Sequence, residues 1–198
     1  KRFPSKSVKA DKKVEMKNIL AFGASNSRTS INKQLAIYTA NQLKNVDVTI
    51  ADLNHYESPL FSVDEEKACG VHENAIRFYE LIKENDAIVV SVAEYNGLHT
   101  SAFKNLWDWM SRIPMEQPMN IWNNSPLFLL STSPSKRPVN NVMKISKELF
   151  PHFGAEIVSE FYLPSFHHFF KDDSIVEDTY KVKFEEQKIR FQAYLDSM

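Results

Sequence analysis

The run Ala87-Ile88-Val89-Val90-Ser91-Val92-Ala93 leads straight into Glu94-Tyr95-Asn96-Gly97, and Phe103, Leu106, Trp107 and Met110 follow at i, i+3, i+4 and i+7. A continuous apolar run of this length reads as a strand buried on both faces, which is the condition of a strand in a parallel sheet. The change from a continuous run to a 3.6-residue period marks a helix after it, with a glycine-containing turn between the two. This strand, loop and helix unit sets the expectation for the rest of the chain.

The same unit recurs on both sides. N-terminal to it, Ile19 to Gly23 predicts a first strand, and Ile31, Leu35 and Tyr38 predict a helix starting near Ser30. Val46 to Leu53 predicts a second strand, and after a polar loop Val71, Ala75, Phe78, Tyr79 and Ile82 predict a helix. C-terminal to it, Leu127 to Thr132 predicts a fourth strand, followed by a helix through Val139, Val142, Met143, Leu149 and Phe150 that stops at Pro151 to Gly154. Ala155 to Tyr162 predicts a fifth strand, and Tyr180, Phe184, Phe191 and Leu195 line a last amphipathic helix. Strands that alternate with helices require a parallel α/β sheet with right-handed crossovers and helices on both faces. Residues 16–198 form one domain without an internal repeat, and the basic stretch from Lys1 to Glu15 lacks apolar periodicity and reads as a flexible leader outside the fold.

Composition removes several classes of function. The 198 residues carry 24 basic and 25 acidic side chains for a formal charge of -1, so the electrostatic footprint of a nucleic-acid binder is missing. No stretch approaches the roughly 20 apolar residues of a bilayer span, which predicts no membrane insertion. The one cysteine, Cys69, sits beside Gly70 in the polar loop and reads as inert; with no export signal before the first strand, the expected compartment is the reducing cytoplasm. A metal site is not expected, because one cysteine and six histidines without an i,i+4 pair give no ligand set of ordinary spacing. Gly23, Gly70, Gly97 and Gly154 are too far apart for either glycine-built phosphate loop. Trp107, Trp109 and Trp122 read as core or subunit-interface aromatics, and the charged residues of Lys181 to Arg190 as a solvated helix face.

In an open parallel sheet, ligands bind beyond the carboxyl ends of the strands where the strand order reverses. The loop after the first strand, Ala24 to Asn32, carries four hydroxyls, two amides and one guanidinium just before a helix. One hydroxyl suffices to cap a helix; the surplus, with the helix dipole and unpaired N–H groups, suits a phosphate dianion. The loop after the third strand, Glu94 to Ser101, offers backbone groups, an aromatic face and an amide to a flat heterocycle, but taken alone it reads first as an Asn-Gly turn followed by a cap at Thr100 or Ser101. The loop after the fourth strand, Ser131 to Pro138, either completes a ring pocket or simply turns the chain.

Together these loops resemble the NADPH-dependent FMN reductase family. Ala93 to Gly97 continuing to Phe103-Lys104-Asn105-Leu106-Trp107-Asp108-Trp109 is similar to that family's PEYNGS...LKNAIDWLSR segment. Ala24 to Asn32 is similar to its GSxRxxSxN loop, and Ser131-Thr132-Ser133-Pro134 to its STSPG loop. The chain departs from the pattern at Ala24 for glycine, Ser27 for arginine, Ala93 for proline, and Ser135 to Pro138 for a glycine-rich continuation.

The resemblance implies a three-layer flavodoxin-like fold, with a five-stranded parallel sheet in the order 2-1-3-4-5. It implies FMN as cofactor, with NADPH or NADH as co-substrate. Ser25, Ser27, Ser30 and Asn32 would hold the phosphate, with Arg28 nearby; Glu94, Tyr95, Asn96 and Gly97 would line the isoalloxazine; Ser131, Thr132 and Ser133 would close its other edge. FMN carries the hydride chemistry in such a protein, so no catalytic side chain is expected. Electrons would pass to a small-molecule acceptor such as free flavin, a quinone or an azo compound, and a homodimer or homotetramer is expected. A flavodoxin-type electron carrier and a flavin-free interaction module are the alternative readings; the near-neutral charge disfavours the carrier, which docks through acidic surface.

Overall fold

The computed structural model describes residues 16–114, 119–136 and 140–198. The expected leader, residues 1–15, together with Arg137, Pro138 and Val139, lies outside the described residues.

Strand β1 (Lys17–Ala24) leads to helix α1 (Ile31–Asn41), then β2 (Val46–Ala51), a 3-10 turn (Leu53–Tyr56), α2 (Val63–Cys69) and α3 (Glu73–Glu84). The central unit is β3 (Ala87–Val92), a hairpin of β4 (Glu94–Tyr95) and β5 (Leu98–His99), and α4 (Ser101–Met110). Then come β6 (Pro126–Thr132), α5 (Asn141–Leu149), a 3-10 turn (Phe150–Phe153), β7 (Glu156–Leu163), α6 (Phe166–Phe169), a hairpin of β8 (Phe170–Lys171) and β9 (Ser174–Ile175), and α7 (Asp178–Ser197).

The main sheet is parallel in the order β2-β1-β3-β6-β7, which is the expected 2-1-3-4-5 when only its own strands are counted. Period-2 alternation divides β1 between two cores. Leu20, Phe22 and Ala24 face Phe78 and Ile82 of α3 and Phe103, Leu106 and Trp109 of α4. Ile19 and Ala21 face Leu35 and Ala36 of α1 and Phe191 and Leu195 of α7. The result is the three-layer flavodoxin-like architecture. All three tryptophans are buried in the core.

The structure corrects some local expectations. The second strand ends at Ala51, not Leu53, because the Asp52 carboxylate accepts the Asn54 N–H and starts a 3-10 turn. The polar loop before α3 contains α2, capped by Ser62, so Cys69 is the last residue of a helix. Helix α3 begins after a His72 cap, which leaves Val71 outside it. Phe150 falls in a 3-10 turn beyond α5, and Leu149 is exposed.

Gly23 places the site directly. A Cβ there would sit 2.7 Å from Lys33 Cα and 2.9 Å from the Asn32 carbonyl carbon. Only glycine lets the first turn of α1 lie against the end of β1, and this close approach aims the helix N-terminus at the carboxyl edge of the sheet.

Candidate functional site

Because the sheet is parallel, Ala24, Val92 and Thr132 end their strands at one edge, and the strand order reverses between β1 and β3. The three loops singled out by sequence therefore meet there. Thr100 ties two of them: its hydroxyl donates to the Ala24 carbonyl at 2.9 Å and accepts the Phe103 N–H as the cap of α4.

In the first loop, Ser25 Oγ accepts the Ser27 N–H at 3.2 Å and Ser30 Oγ accepts the Lys33 N–H at 3.2 Å. An oxygen used as an acceptor leaves its own O–H to donate elsewhere. Ser25 and Ser30 are buried and Ser27 is half-buried, so these hydroxyls line the loop rather than solvent. Among the described residues, the N–H groups of Arg28, Thr29, Ile31 and Asn32 have no acceptor. The exposed Arg28 has no ion pair there either, whereas Lys33 is held by Asp52 at 2.5 Å. Burial opposes ionisation of Asp52, but hydrogen bonds from Lys33 and Asn54 outweigh it and hold the pKa at about 2. Unengaged O–H and N–H donors at a helix N-terminus with a free guanidinium fit a phosphate dianion.

The side chain of Asn32 is held within the fold. Its side-chain N–H donates to the Thr132 carbonyl at 3.2 Å, and its Oδ1 accepts the Thr132 N–H at 3.0 Å and the Ser91 hydroxyl at 2.8 Å. Three of its four bonding positions tie α1 to β3 and β6. What it can offer a phosphate is the backbone N–H.

Of the third segment expected as a loop, Ser131 and Thr132 are the last residues of β6, and their hydroxyls are engaged in the same way. The Ser131 hydroxyl donates to the Val92 carbonyl and accepts from Asn140 Nδ2, and the Thr132 hydroxyl donates to the Leu163 carbonyl. Both side chains are buried. Ser133 is half-buried and shares a 2.9 Å contact with the Tyr162 hydroxyl. Ser131 and Thr132 thus hold the edge of the site in place, and Ser133 alone of the three reaches its surface.

Between these loops stands the β4–β5 hairpin. Asn96 and Gly97 have φ of 54° and 84°, the pair of positive values of a type I′ turn. Tyr95 and Leu98 pair across it, 54% and 59% exposed, while the Glu94 carboxylate accepts the Val142 N–H at 3.1 Å. The turn thus presents backbone and an aromatic face at the sheet edge, opposite the donor-rich loop.

The sequence assigns no individual part to Asn105 and reads Trp109 as a core or subunit-interface aromatic. Asn105 accepts the Phe61 N–H and donates to the Ser58 and Pro59 carbonyls, and Trp109 Nε1 donates to the Pro59 carbonyl at 2.7 Å. These bonds fix the segment after β2 as the wall of a cleft of about 240 Å³ that includes Asn26, Tyr56 and Ser58. The signal was present in the motif around Lys104 to Trp109, although spacing alone does not say what an Asn on a helix face bonds.

Sheet order, with the donor-rich loop and the exposed turn at the carboxyl edge, defines a flavodoxin-like protein. The chain belongs to the NADPH-dependent FMN reductase family, whose sequence model matches residues 17–168. It is accordingly a flavin-dependent oxidoreductase that uses FMN with NAD(P)H as substrate. Among solved structures it is similar to FerB, a flavoenzyme NAD(P)H:(acceptor) oxidoreductase from Paracoccus denitrificans. That match has a TM-score of 0.71 at 18% identity and covers 92% of this chain and 98% of the other. An azoreductase from Bacillus anthracis superposes with a TM-score of 0.62 at 18% identity, over 90% of this chain and 100% of the other. An oxidoreductase from Corynebacterium diphtheriae gives 0.58 at 16% identity, over 92% and 96%. No curated protein matches by sequence.

Proposed function

We propose that this oxidoreductase passes the reducing equivalents of NAD(P)H to a small diffusible acceptor such as free flavin, a quinone or an azo compound. The observation that carries the reading is the set of unengaged donors at Ser25, Ser27, Arg28 and Ser30, lying across the sheet edge from the Tyr95 to Gly97 turn. FMN, when bound, supplies the hydride chemistry.

The remaining work falls to the chain. The hydroxyls of Ser25, Ser27 and Ser30, the N–H groups at the start of α1 and Arg28 hold the phosphate. Backbone groups of Glu94 to Gly97 meet the ring on one side and those of Ser131 to Ser133 close its other edge. Hydride transfer needs no protein acid or base, and the carboxylate at this edge, Glu94, is already taken up by the Val142 N–H. The near-neutral charge suits a small acceptor better than a docked protein partner. Azoreductase and NAD(P)H:(acceptor) oxidoreductase are the descriptions of similar structures, and they support acceptors of this size.

No helix among the described residues is long and apolar enough to cross a membrane, and action in the cytoplasm fits one exposed cysteine without a disulfide. A homodimer or homotetramer would cover the exposed Tyr95 and Leu98 beside the site; sedimentation analysis reads that state directly. The test of function is the visible spectrum of the FMN-loaded protein under anaerobic conditions. Addition of NADPH bleaches the flavin, and a quinone or azo dye restores its colour with turnover. Colour that persists with NADPH and with NADH overturns the proposal.

A further inference from the structure

Two residues on each side cannot make a hairpin that stands by itself, and the β4–β5 hairpin exposes both residues of its outer pair, Tyr95 and Leu98. Something else must set where the Asn96-Gly97 turn points. The inner pair, Glu94 and His99, supplies it, because both side chains bond to one turn of α5. Glu94 accepts the Val142 N–H at 3.1 Å, and His99 Nε2 lies 2.8 Å from Ser146 Oγ. Val142 and Ser146 are i and i+4, on one face of the helix.

The bonding order around Ser146 follows from its donors. The Ser146 hydroxyl donates to the Val142 carbonyl at 2.7 Å, so its oxygen is the acceptor toward His99, and His99 carries its proton on Nε2. A closed chain results, from His99 to Ser146 to the Val142 carbonyl, and from the Val142 N–H back to Glu94. The ring itself is clamped, stacked on Phe150 at 5.7 Å and 21° and tilted against Phe103 at 5.5 Å. Burial, with the charge of Lys104, lowers its pKa to about 4, so the donor is neutral at ordinary pH.

We propose that His99, acting through Ser146, is a positioning residue that fixes the Tyr95 to Gly97 turn on α5 in the geometry the flavin ring requires. This rests on the reading of that turn as the ring site. An aliphatic side chain would fill the same aromatic niche without the directional bond to α5.

The test is FMN titration by fluorescence, with the visible circular dichroism of the bound flavin as a second readout, on variants shown to be folded by far-ultraviolet circular dichroism. His99→Leu is expected to weaken FMN binding about fivefold, the worth of one neutral hydrogen bond, and to change the flavin dichroism. His99→Gln, which keeps a donor near the Nε2 position, is expected to restore both. Ser146→Ala removes the acceptor oxygen together with its own bond to the Val142 carbonyl, which keeps its place in the helix ladder, so it is expected to match His99→Leu in FMN affinity and dichroism and to add nothing to them in the double variant; it also carries the test where His99→Leu does not fold. Wild-type binding accompanied by unchanged affinity and dichroism in Ser146→Ala overturns the positioning role. Wild-type protein that takes up no FMN overturns the flavin reading instead.

Discussion

The loop after β1 and the segment from Ser131 onward at the end of β6 are almost indistinguishable as text: both are short, serine-rich and set between an apolar run and a helix. In the structure they are opposites. The hydroxyls of Ser25 and Ser30 accept backbone N–H groups and keep their own hydrogens to give, whereas those of Ser131 and Thr132 donate inward to the carbonyls of Val92 and Leu163. The two segments therefore differ in the direction of their hydrogen bonds, about which hydroxyl count carries no information.

The contrast can be broken most severely at the first loop. Ser25, Ser27 and Ser30 changed together to Ala are expected to weaken FMN binding about 1000-fold, near 4 kcal/mol, while far-ultraviolet circular dichroism stays unchanged. Affinity within about tenfold of wild type would show that these hydroxyls do not meet the phosphate. Asn32→Ala comes next and should act differently, since Asn32 joins the two loops. It strands the buried Ser91 hydroxyl and the Thr132 backbone groups, and about 3 kcal/mol of unfolding free energy is expected to be lost in urea titration.

Ser131→Ala sharpens the comparison from the other side. It leaves Asn140 Nδ2 without its acceptor, so stability should fall by about 1.5 kcal/mol while FMN affinity of the folded protein moves less than about threefold. A large loss of affinity without loss of stability would place Ser131 among the binding residues. The smallest effect is expected from pH. His99 titrates at about 4 in the fold and near 6.5 when unfolded, so its contribution is complete above pH 6.5 and is lost as pH falls toward 4. The slope is at most about 1.4 kcal/mol per pH unit, reduced by the water at the ring's partly exposed side. His99→Leu should flatten that part of the stability profile. Asp52 acts lower, between its ordinary 3.8 and about 2.

The sheet was legible because its central strands β3 and β6 are buried throughout, and the half-buried strands β2 and β7 still carry β-branched and aromatic residues between turn signals. Strand ends were less legible: β2 stops two residues early because of a cap made by Asp52, a choice that hydrophobicity does not encode. Helix α2 was missed because it has no buried residue and hence no apolar stripe. At the site, Ser25, Ser27, Arg28 and Ser30 were readable as a surplus of donors before a helix. The true engagement of Asn32 with Thr132 was not, since the partners lie 100 residues apart and only the β1-β3-β6 order brings them together. The His99 to Ser146 bond escaped for the same reason: Asn-Gly announces a turn but not the helix on which the turn stands.

The central claim is that the loop from Ser25 to Asn32 holds a phosphate. The most direct measurement is a pair of fluorescence titrations, FMN against riboflavin, on wild-type protein and on the Ser25, Ser27 and Ser30 triple alanine variant. FMN and riboflavin share the ring and differ in the phosphate alone. Wild-type protein is expected to prefer FMN by at least about 1000-fold, and the variant to lose most of that preference with riboflavin affinity unchanged. Equal affinity of the wild-type protein for the two flavins would contradict the claim.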